Sequence, residues 1–283
     1  MYILCALCAS VVSYPMTRKT EAEYRADMVE VCRRIHQRGY VAATDGNVSI
    51  RLAADRLLFT PSGLSKGYLA ADQLIVTDMA GHKLPPHTAA NRHLQPSSEI
   101  LLHLEVYRQR ADVQAVVHAH PPVAVACTIA GVSLAQCVIP EVIVTFGAIP
   151  TAEYATPSTA EGPTVIRELI AQHDAILLDH HGTITVGQDV FDAYFKLEKV
   201  EHAAQVTLAA YQFGRVRGLP SAEVRKLFEM RERLGLGRDG GGPYCQQCEL
   251  CARLSRRRRP RRTTSDDELV QVVSREVLRA LGK

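Results

Sequence analysis

The chain has 283 residues, 47% of them hydrophobic and 22% charged; these ordinary globular proportions exclude a chain disordered throughout, a collagen and a disulfide miniprotein. At roughly 100–200 residues per domain it holds one large domain with appendages or two small ones, and no apolar run reaches the ~18 residues of a membrane span. The formal net charge of +3 misleads, because residues 252–262 carry seven Arg and no acid and the remainder therefore carries −4 (+3 less 7); a mildly acidic body argues against nucleic acid as a partner, and the Arg run reads as a solvated linker before it reads as a contact for an anionic partner.

Residues 1–15, MYILCALCASVVSYP, are apolar but lack the basic start of an export signal, and Met16 with the polar TRKTEAEY follows at once. The expectation is a non-core extra at 1–15, with translation starting at Met16 or an unstructured leader. Residues 21–38 place apolar side chains at helical spacing, with Gly39 as a suitable C-cap. The segment TDGNVSIRL turns into an alternating pattern, so a strand begins near Val48. Leu57–Thr60 is a second strand stopped by Pro61-Ser62-Gly63, and Leu74–Thr77 a third, running into a hairpin-like turn at DMAGHK. In PSSEILLHLEVYRQR either Ser97 or Ser98 can cap a helix, with Glu99 in its first turn where the macrodipole favours an acid. Ala115–Val117 is a strand leading into His118-Ala119-His120, and Pro121-Pro122 starts a small-residue helix to about Gly131. Ala175–Leu178 is a strand entering Asp179-His180-His181-Gly182. Asp189 opens a long amphipathic helix to about Phe213, and Ser221 caps a helix over 221–234.

The eight cysteines do not form a disulfide framework. Cys32, Cys127 and Cys137 are scattered, Cys5 and Cys8 lie in the N-terminal extra, and Cys245, Cys248 and Cys251 cluster as C-x-x-C-x-x-C; a reducing, cytoplasmic setting fits this usage.

The sharpest chemical signal is His118-Ala119-His120 at a strand end. Residues i and i+2 of a strand point the same way, so two imidazoles separated by one small residue can grip one metal ion; the plainer alternative is two unconnected polar side chains at a strand edge. His181, beside a Gly that lets the backbone turn, supplies a third imidazole, with His180 a competitor. Three neutral imidazoles leave the full charge of a Zn²⁺-like ion and an open position. Glu99 is the best carboxylate to approach it, although by itself it reads as an ordinary helix-start acid. The turns Gly46-Asn47, Ser62-Gly63 and Ser97-Ser98 offer hydroxyls and backbone N–H groups that together suit a phosphate, and separately are ordinary turns.

The motifs GNVS, TPSG, PSSE, VHAH and DHHG, in that order and spacing, resemble the class II aldolase/adducin family over about residues 21–215, and within it the fuculose phosphate aldolases most. The resemblance implies an α/β fold, a single domain whose mainly antiparallel central sheet is flanked by helices, and a homotetramer with the active site at a subunit boundary. It implies one Zn²⁺ per subunit on Glu99, His118, His120 and His181, with Glu99 also the catalytic acid/base. It places the substrate phosphate on Gly46, Asn47, Ser62, Gly63, Ser97 and Ser98. The implied reaction is cleavage of L-fuculose 1-phosphate, or a similar ketose phosphate, to dihydroxyacetone phosphate and L-lactaldehyde. A sugar-phosphate epimerase or dehydratase of the same fold, or a non-catalytic adducin-like scaffold, are the alternatives; retention of all four ligand types speaks against the scaffold. One departure stands out. These aldolases use a tyrosine between the H-x-H and the third His, and the stretch Ile139-Pro140-Glu141-Val142 has none, while Tyr154 lies beyond that position.

The expected organisation is an aldolase domain at 16–235, a Gly/Cys/Arg-rich linker at 236–262 and an amphipathic helix at 263–283. In the last, Ser265 and Glu268 form a capping box, and Leu269, Val273, Val277 and Leu281 stripe one face. It resembles an encapsulation peptide that docks an enzyme against the shell proteins of a bacterial microcompartment; packing on its own tetramer is the alternative. The Cys245/Cys248/Cys251 triplet resembles part of an iron–sulfur or zinc motif, or a thiol redox site, but lacks a nearby fourth ligand.

Overall fold

The computed structural model describes residues 19–214 and 216–237. The N-terminal extra, most of the 236–262 linker with the Cys245/Cys248/Cys251 triplet, and the 263–283 helix lie outside the described residues.

The first helix, α1 (Glu21–Gln37), begins on a capping box in which Thr20 and Glu23 satisfy each other's backbone N–H. It ends at Arg38, and Gly39 takes the left-handed conformation (φ 70°) one residue beyond. Strands β1 (Asn47–Ala53), β2 (Arg56–Phe59) and β3 (Ile75–Thr77) follow, then α2 (Ile100–Gln109), β4 (Ala115–Ala119), α3 (Pro122–Ile129) and α4 (Pro140–Phe146). The chain continues through β5 (Thr151–Ala152), α5 (Glu161–Gln172), β6 (Ala175–Leu178), β7 (Gly182–Gly187), α6 (Val190–Gln212) and α7 (Ser221–Arg233).

The seven strands form one sheet in the order β3-β2-β1-β4-β7-β6-β5. Every neighbouring pair is antiparallel except β5–β6, the mainly antiparallel sheet that the sequence implies. Alternation along the strands sorts the two faces. Val48, Ile50, Leu58, Ala115 and Val117 pack against Val31, Ile35, Tyr194 and Leu197 of α1 and α6. Leu57, Phe59, Val116, Ile176 and Ile184 pack on the other side against Leu102, Val106, Ile166 and Ile170 of α2 and α5. Two smaller clusters join α3, α4 and α6 to β6, and α4 to α7. Cys32, Cys127 and Cys137 are buried, and burial pushes the Cys32 thiol up to about 12. Among the described residues no helix is long and apolar enough to cross a membrane.

Two capping expectations are corrected. Glu99 is itself the N-cap of α2, not a first-turn residue, and neither Ser97 nor Ser98 caps the helix. Ser221 is the first residue of α7 after Pro220, without a side-chain cap. Asp189 does cap α6, accepting from the Asp192 N–H.

Candidate metal centre

Cross-strand register sets the site. Asn47 of β1 pairs with His118 of β4, and Ser49 with Val116. Asn47, Ser49 and His118 therefore share the sheet face that α2 covers, while Val48 and Val117 turn to the opposite core. His120 follows β4 by one residue. The tight turn from β6 to β7 supplies His181, whose N–H donates to the Leu178 carbonyl (3.1 Å).

Three imidazole rings meet there with centroid separations of 4.9, 4.8 and 4.9 Å. Glu99 Oε2 lies 3.1 Å from His118 Nε2, and Oε1 lies 3.3 Å from His181 Nε2. His118 and His120 bring their Nε2 atoms to 3.1 Å. One ligand atom from each of the four residues falls within 4.8 Å of the others. His118 Nδ1–H donates to the Thr183 carbonyl (2.9 Å), so its Nε2 is the nitrogen aimed into the cluster.

The electrostatics follow from burial and mutual contact. Burial pushes Glu99 up, but the attraction and hydrogen bond of His118, with help from His181 and Asn47, hold it far below the usual carboxylate range. Burial disfavours the charged form of His118, yet Glu99 overrides it and raises the group. Burial, then His118, depresses His120 to about 3 and His181 to about 4.

A divalent cation fits these residues. Glu99 Oε1 is buried and accepts no hydrogen bond, an open lone pair beside three converging rings. A tetrahedral ion with bonds of ~2.0–2.1 Å to nitrogen needs ligand atoms roughly 3.3 Å apart, and the Glu99–His118, Glu99–His181 and His118–His120 contacts, at 3.1, 3.3 and 3.1 Å, are of that size. His180 stands apart: it has φ 56°, its side chain is 54% exposed, and its Nδ1 lies against Asp179 Oδ1 at 3.0 Å.

Two glycines let the strands close on this cluster. A Cβ on Gly182 would sit 2.5 Å from the Ala119 carbonyl oxygen and 2.7 Å from His120 Cδ2. A Cβ on Gly46, where φ is 70°, would meet Val41 Cγ1 at 2.5 Å and the His118 carbonyl at 3.0 Å. Gly182→Ala is thus expected to cost about 1–3 kcal/mol and to lower the zinc held per subunit, read by thermal unfolding and elemental analysis. Wild-type values in both would mean that the β4–β7 approach relaxes freely.

The three turns expected to suit a phosphate are drawn together around Glu99. Ser62 N–H donates to the Gln95 carbonyl (2.9 Å), and Pro61 bridges Pro96. Ser97 is buried and its hydroxyl accepts from Glu99 N–H (3.3 Å), whereas Ser98 is exposed and its hydroxyl accepts from Ser158 (3.1 Å). Gly63, with φ 74°, has open space where a side chain would go. Asn47 behaves differently: its amide is engaged by Glu99 and His103. Lys66 escaped the sequence reading. Its ammonium is buried and donates to the carbonyls of Thr44 (2.7 Å) and Leu64 (2.8 Å), tying the loop before Gly46 to the loop after Gly63. Burial lowers its pKa. A lone Lys in a turn carries no sequence signal for such a role.

A cleft opens beside Glu99 and His181, lined also by Leu102, Ser158, Val165 and Asp179. Ile139–Val142 forms the N-terminal end of α4 and brings no tyrosine, and Tyr154 is exposed.

Residues 26–208 match the family described as the class II aldolase and adducin N-terminal domain. The chain is 31% identical over 180 residues to the L-fuculose phosphate aldolase of Methanococcus maripaludis, covering 64% of this chain and 93% of that protein. It is 28% identical over 212 residues to the 3-oxo-tetronate 4-phosphate decarboxylase of Haemophilus influenzae, covering 74% and 97%. Among solved structures, YgbL of Escherichia coli, for which aldolase, epimerase and decarboxylase are the named alternatives, superposes with a TM-score of 0.67 at 28% identity over 74% of this chain and 99% of its own.

Proposed function

The chain belongs to the class II aldolase and adducin N-terminal domain family, and on that premise we propose a metal-dependent lyase that breaks the bond between the α and β carbons of the carbonyl of a phosphorylated sugar. L-Fuculose 1-phosphate, or a similar ketose phosphate, is the first substrate to consider, with dihydroxyacetone phosphate and L-lactaldehyde as products. The observation that carries the reading is a buried carboxylate with one oxygen held and the other free, facing three imidazoles.

Glu99, His118, His120 and His181 would hold the ion, which when bound supplies Lewis-acid stabilisation of negative charge on substrate oxygens. Gly46, Ser62, Gly63, Ser97 and Ser98 would seat the phosphate through hydroxyls and backbone N–H groups. Asn47 contributes through the side chain it lends to Glu99. Breaking the bond leaves an enediolate of dihydroxyacetone phosphate, which becomes the ketone when a proton is delivered to carbon; Glu99 is the group positioned to carry that proton. The Leu102 and Val165 side of the cleft gives the rest of the sugar an apolar wall.

A second reading has a specific observation in its favour. An aldol cleavage must also take the proton from the hydroxyl on the departing carbon, the task of the tyrosine that Ile139–Val142 lacks. Loss of carbon dioxide from a 3-oxo acid leaves the same enediolate with no such proton to remove. Ketose 1-phosphates, ketose 5-phosphates and 3-oxo-tetronate 4-phosphate should be assayed side by side, with and without a chelator. The expected result is chelator-sensitive release of dihydroxyacetone phosphate and L-lactaldehyde from L-fuculose 1-phosphate. Carbon dioxide release from the oxo acid alone would favour the decarboxylase, inversion or water loss without cleavage an epimerase or dehydratase, and no turnover by zinc-loaded protein a scaffold.

A further inference from the structure

A line of buried polar side chains runs from Glu99 away from the imidazole cluster, across the interface between α2 and β1. Glu99, His103 and Tyr107 stand at i, i+4 and i+8 along α2, and Asn47, Ser49 and Arg51 at i, i+2 and i+4 along β1. Four helical residues rise about 6 Å and two strand residues about 6.6 Å, so the rows stay in step for three pairs. The contacts are Asn47 Nδ2 to Glu99 Oε2 at 2.9 Å, His103 Nε2 to Asn47 Oδ1 at 2.6 Å, Ser49 Oγ to His103 Nδ1 at 2.6 Å, and Ser49 Oγ to Tyr107 OH at 2.8 Å. Asn47, Ser49, His103 and Tyr107 are all buried. The Arg51 guanidinium lies 4.6 Å over the Tyr107 ring and donates to the carbonyls of Tyr107, Arg110 and Val113.

The sense of every bond in this line is fixed from its Glu99 end. A carboxylate only accepts, so the Asn47 amide must turn its NH₂ to Glu99 and its oxygen to His103. That oxygen needs a donor, so His103 carries its proton on Nε2. Burial holds the ring neutral, with a pKa depressed to about 3, and Nδ1 accordingly accepts from the Ser49 hydroxyl. Ser49, its one proton used, then accepts from Tyr107. The result is four hydrogen bonds pointing one way, Tyr107 to Ser49 to His103 to Asn47 to Glu99, each polarising the next. An amide passes no proton along such a line, so its output is orientation.

We propose that Tyr107, Ser49, His103 and Asn47 are positioning residues: a one-way hydrogen-bond relay that fixes the rotation of the Glu99 carboxylate, so that Oε2 is held and Oε1 is kept free against the imidazole cluster. The role of Glu99 rests on the lyase reading above; the manner in which it is held does not. Nothing in the packing requires polar groups here, since an apolar side chain of similar size fills a helix–sheet interface as well as a hydrogen-bonded one.

Two measurements on the full chain test this. In protein labelled with 15N-histidine, His103 should appear as a neutral ring protonated on Nε2 from about pH 5 to 9, whether or not zinc is present and whether or not any sugar is cleaved. A ring protonated on Nδ1 would reverse the relay and overturn the proposal. The second measurement is zinc affinity, by competition with a coloured chelator. His103→Leu should weaken zinc by roughly tenfold or more when Glu99 is present, and by less than about twofold in a Glu99→Ala background. His103→Gln, which keeps an N–H for Asn47, should recover most of the loss. Tyr107→Phe, which deletes one oxygen, should weaken zinc by a smaller factor with an unchanged unfolding temperature. Equal losses with and without Glu99, or no loss in either, would make the relay ordinary packing. Failure of the substrate panel with both measurements as expected would sink the lyase reading and leave the relay standing.

Discussion

Glu99→Gln is expected to lower turnover by about 10³-fold, within the 10²–10⁴ range typical of a lost general acid–base group, while shifting the unfolding temperature by no more than a few degrees. The amide is isosteric. Its oxygen can still accept from Asn47 Nδ2, so the contact at the Oε2 position survives. The change falls on the other atom. Oε1, the buried oxygen with no hydrogen-bond partner, becomes an NH₂ that neither accepts a proton nor binds a cation through a lone pair, and it faces His181 Nε2 at 3.3 Å. The variant therefore removes proton transfer without opening a cavity, and separates the chemical role of Glu99 from its role as N-cap of α2. Steady-state cleavage of whichever phosphate the substrate panel selects, paired with a thermal scan, is the measurement. Activity within tenfold of wild type would remove Glu99 from the reaction.

What the sequence disclosed, and what it hid, divides by distance along the chain. The H-x-H pair was legible because strand alternation puts i and i+2 on one side, and His118 in β4 and His120 just past its end come together as that rule requires. α1, β6 and α6 were legible because their signals are local: a periodic apolar face, an unbroken AILL run, and the Asp189 cap. Helix α5 was not. Gly and Pro ordinarily interrupt a helical pattern, and Gly162 and Pro163 both lie in its first turn, where a missing N–H costs nothing. Strand β7, GTITVG, was hidden between two glycines whose purpose is close approach, not a bend. At the site, Glu99 looked like a helix-start acid because the groups that define it are distant, with Asn47 52 residues away, His118 on β4 and His181 in the turn between β6 and β7. His103 and Tyr107 were invisible for the same reason: a buried His in mid-helix acquires meaning only when β1 is laid against it.

His118→Ala and His181→Ala should each reduce bound zinc to less than about a tenth of an ion per subunit, the loss expected when one of a minimal set of ligands is removed, whereas His180→Asn should retain it. Two adjacent histidines after β6 make this the sharpest discrimination the fold allows. His180 adopts φ 56°, a conformation that Asn tolerates better than most residues, and its half-exposed ring lies against Asp179, so the Asn variant keeps the turn and alters nothing at the cluster. His181 keeps only 13% of its side chain exposed and aims Nε2 at Glu99. The two losses should differ in stability. His118 is fully buried and donates to the Thr183 carbonyl, so its removal leaves a void and takes one donor from that carbonyl, a cost of about 2–4 kcal/mol. His181→Ala should cost less, because that ring borders the open cleft. Elemental analysis after dialysis against a weak chelator, with denaturant unfolding of each variant, reads both quantities. A His180→Asn protein stripped of zinc beside a His181→Ala protein that keeps it would move the third ligand by one residue and place the metal on the wrong side of the turn for Glu99 to reach.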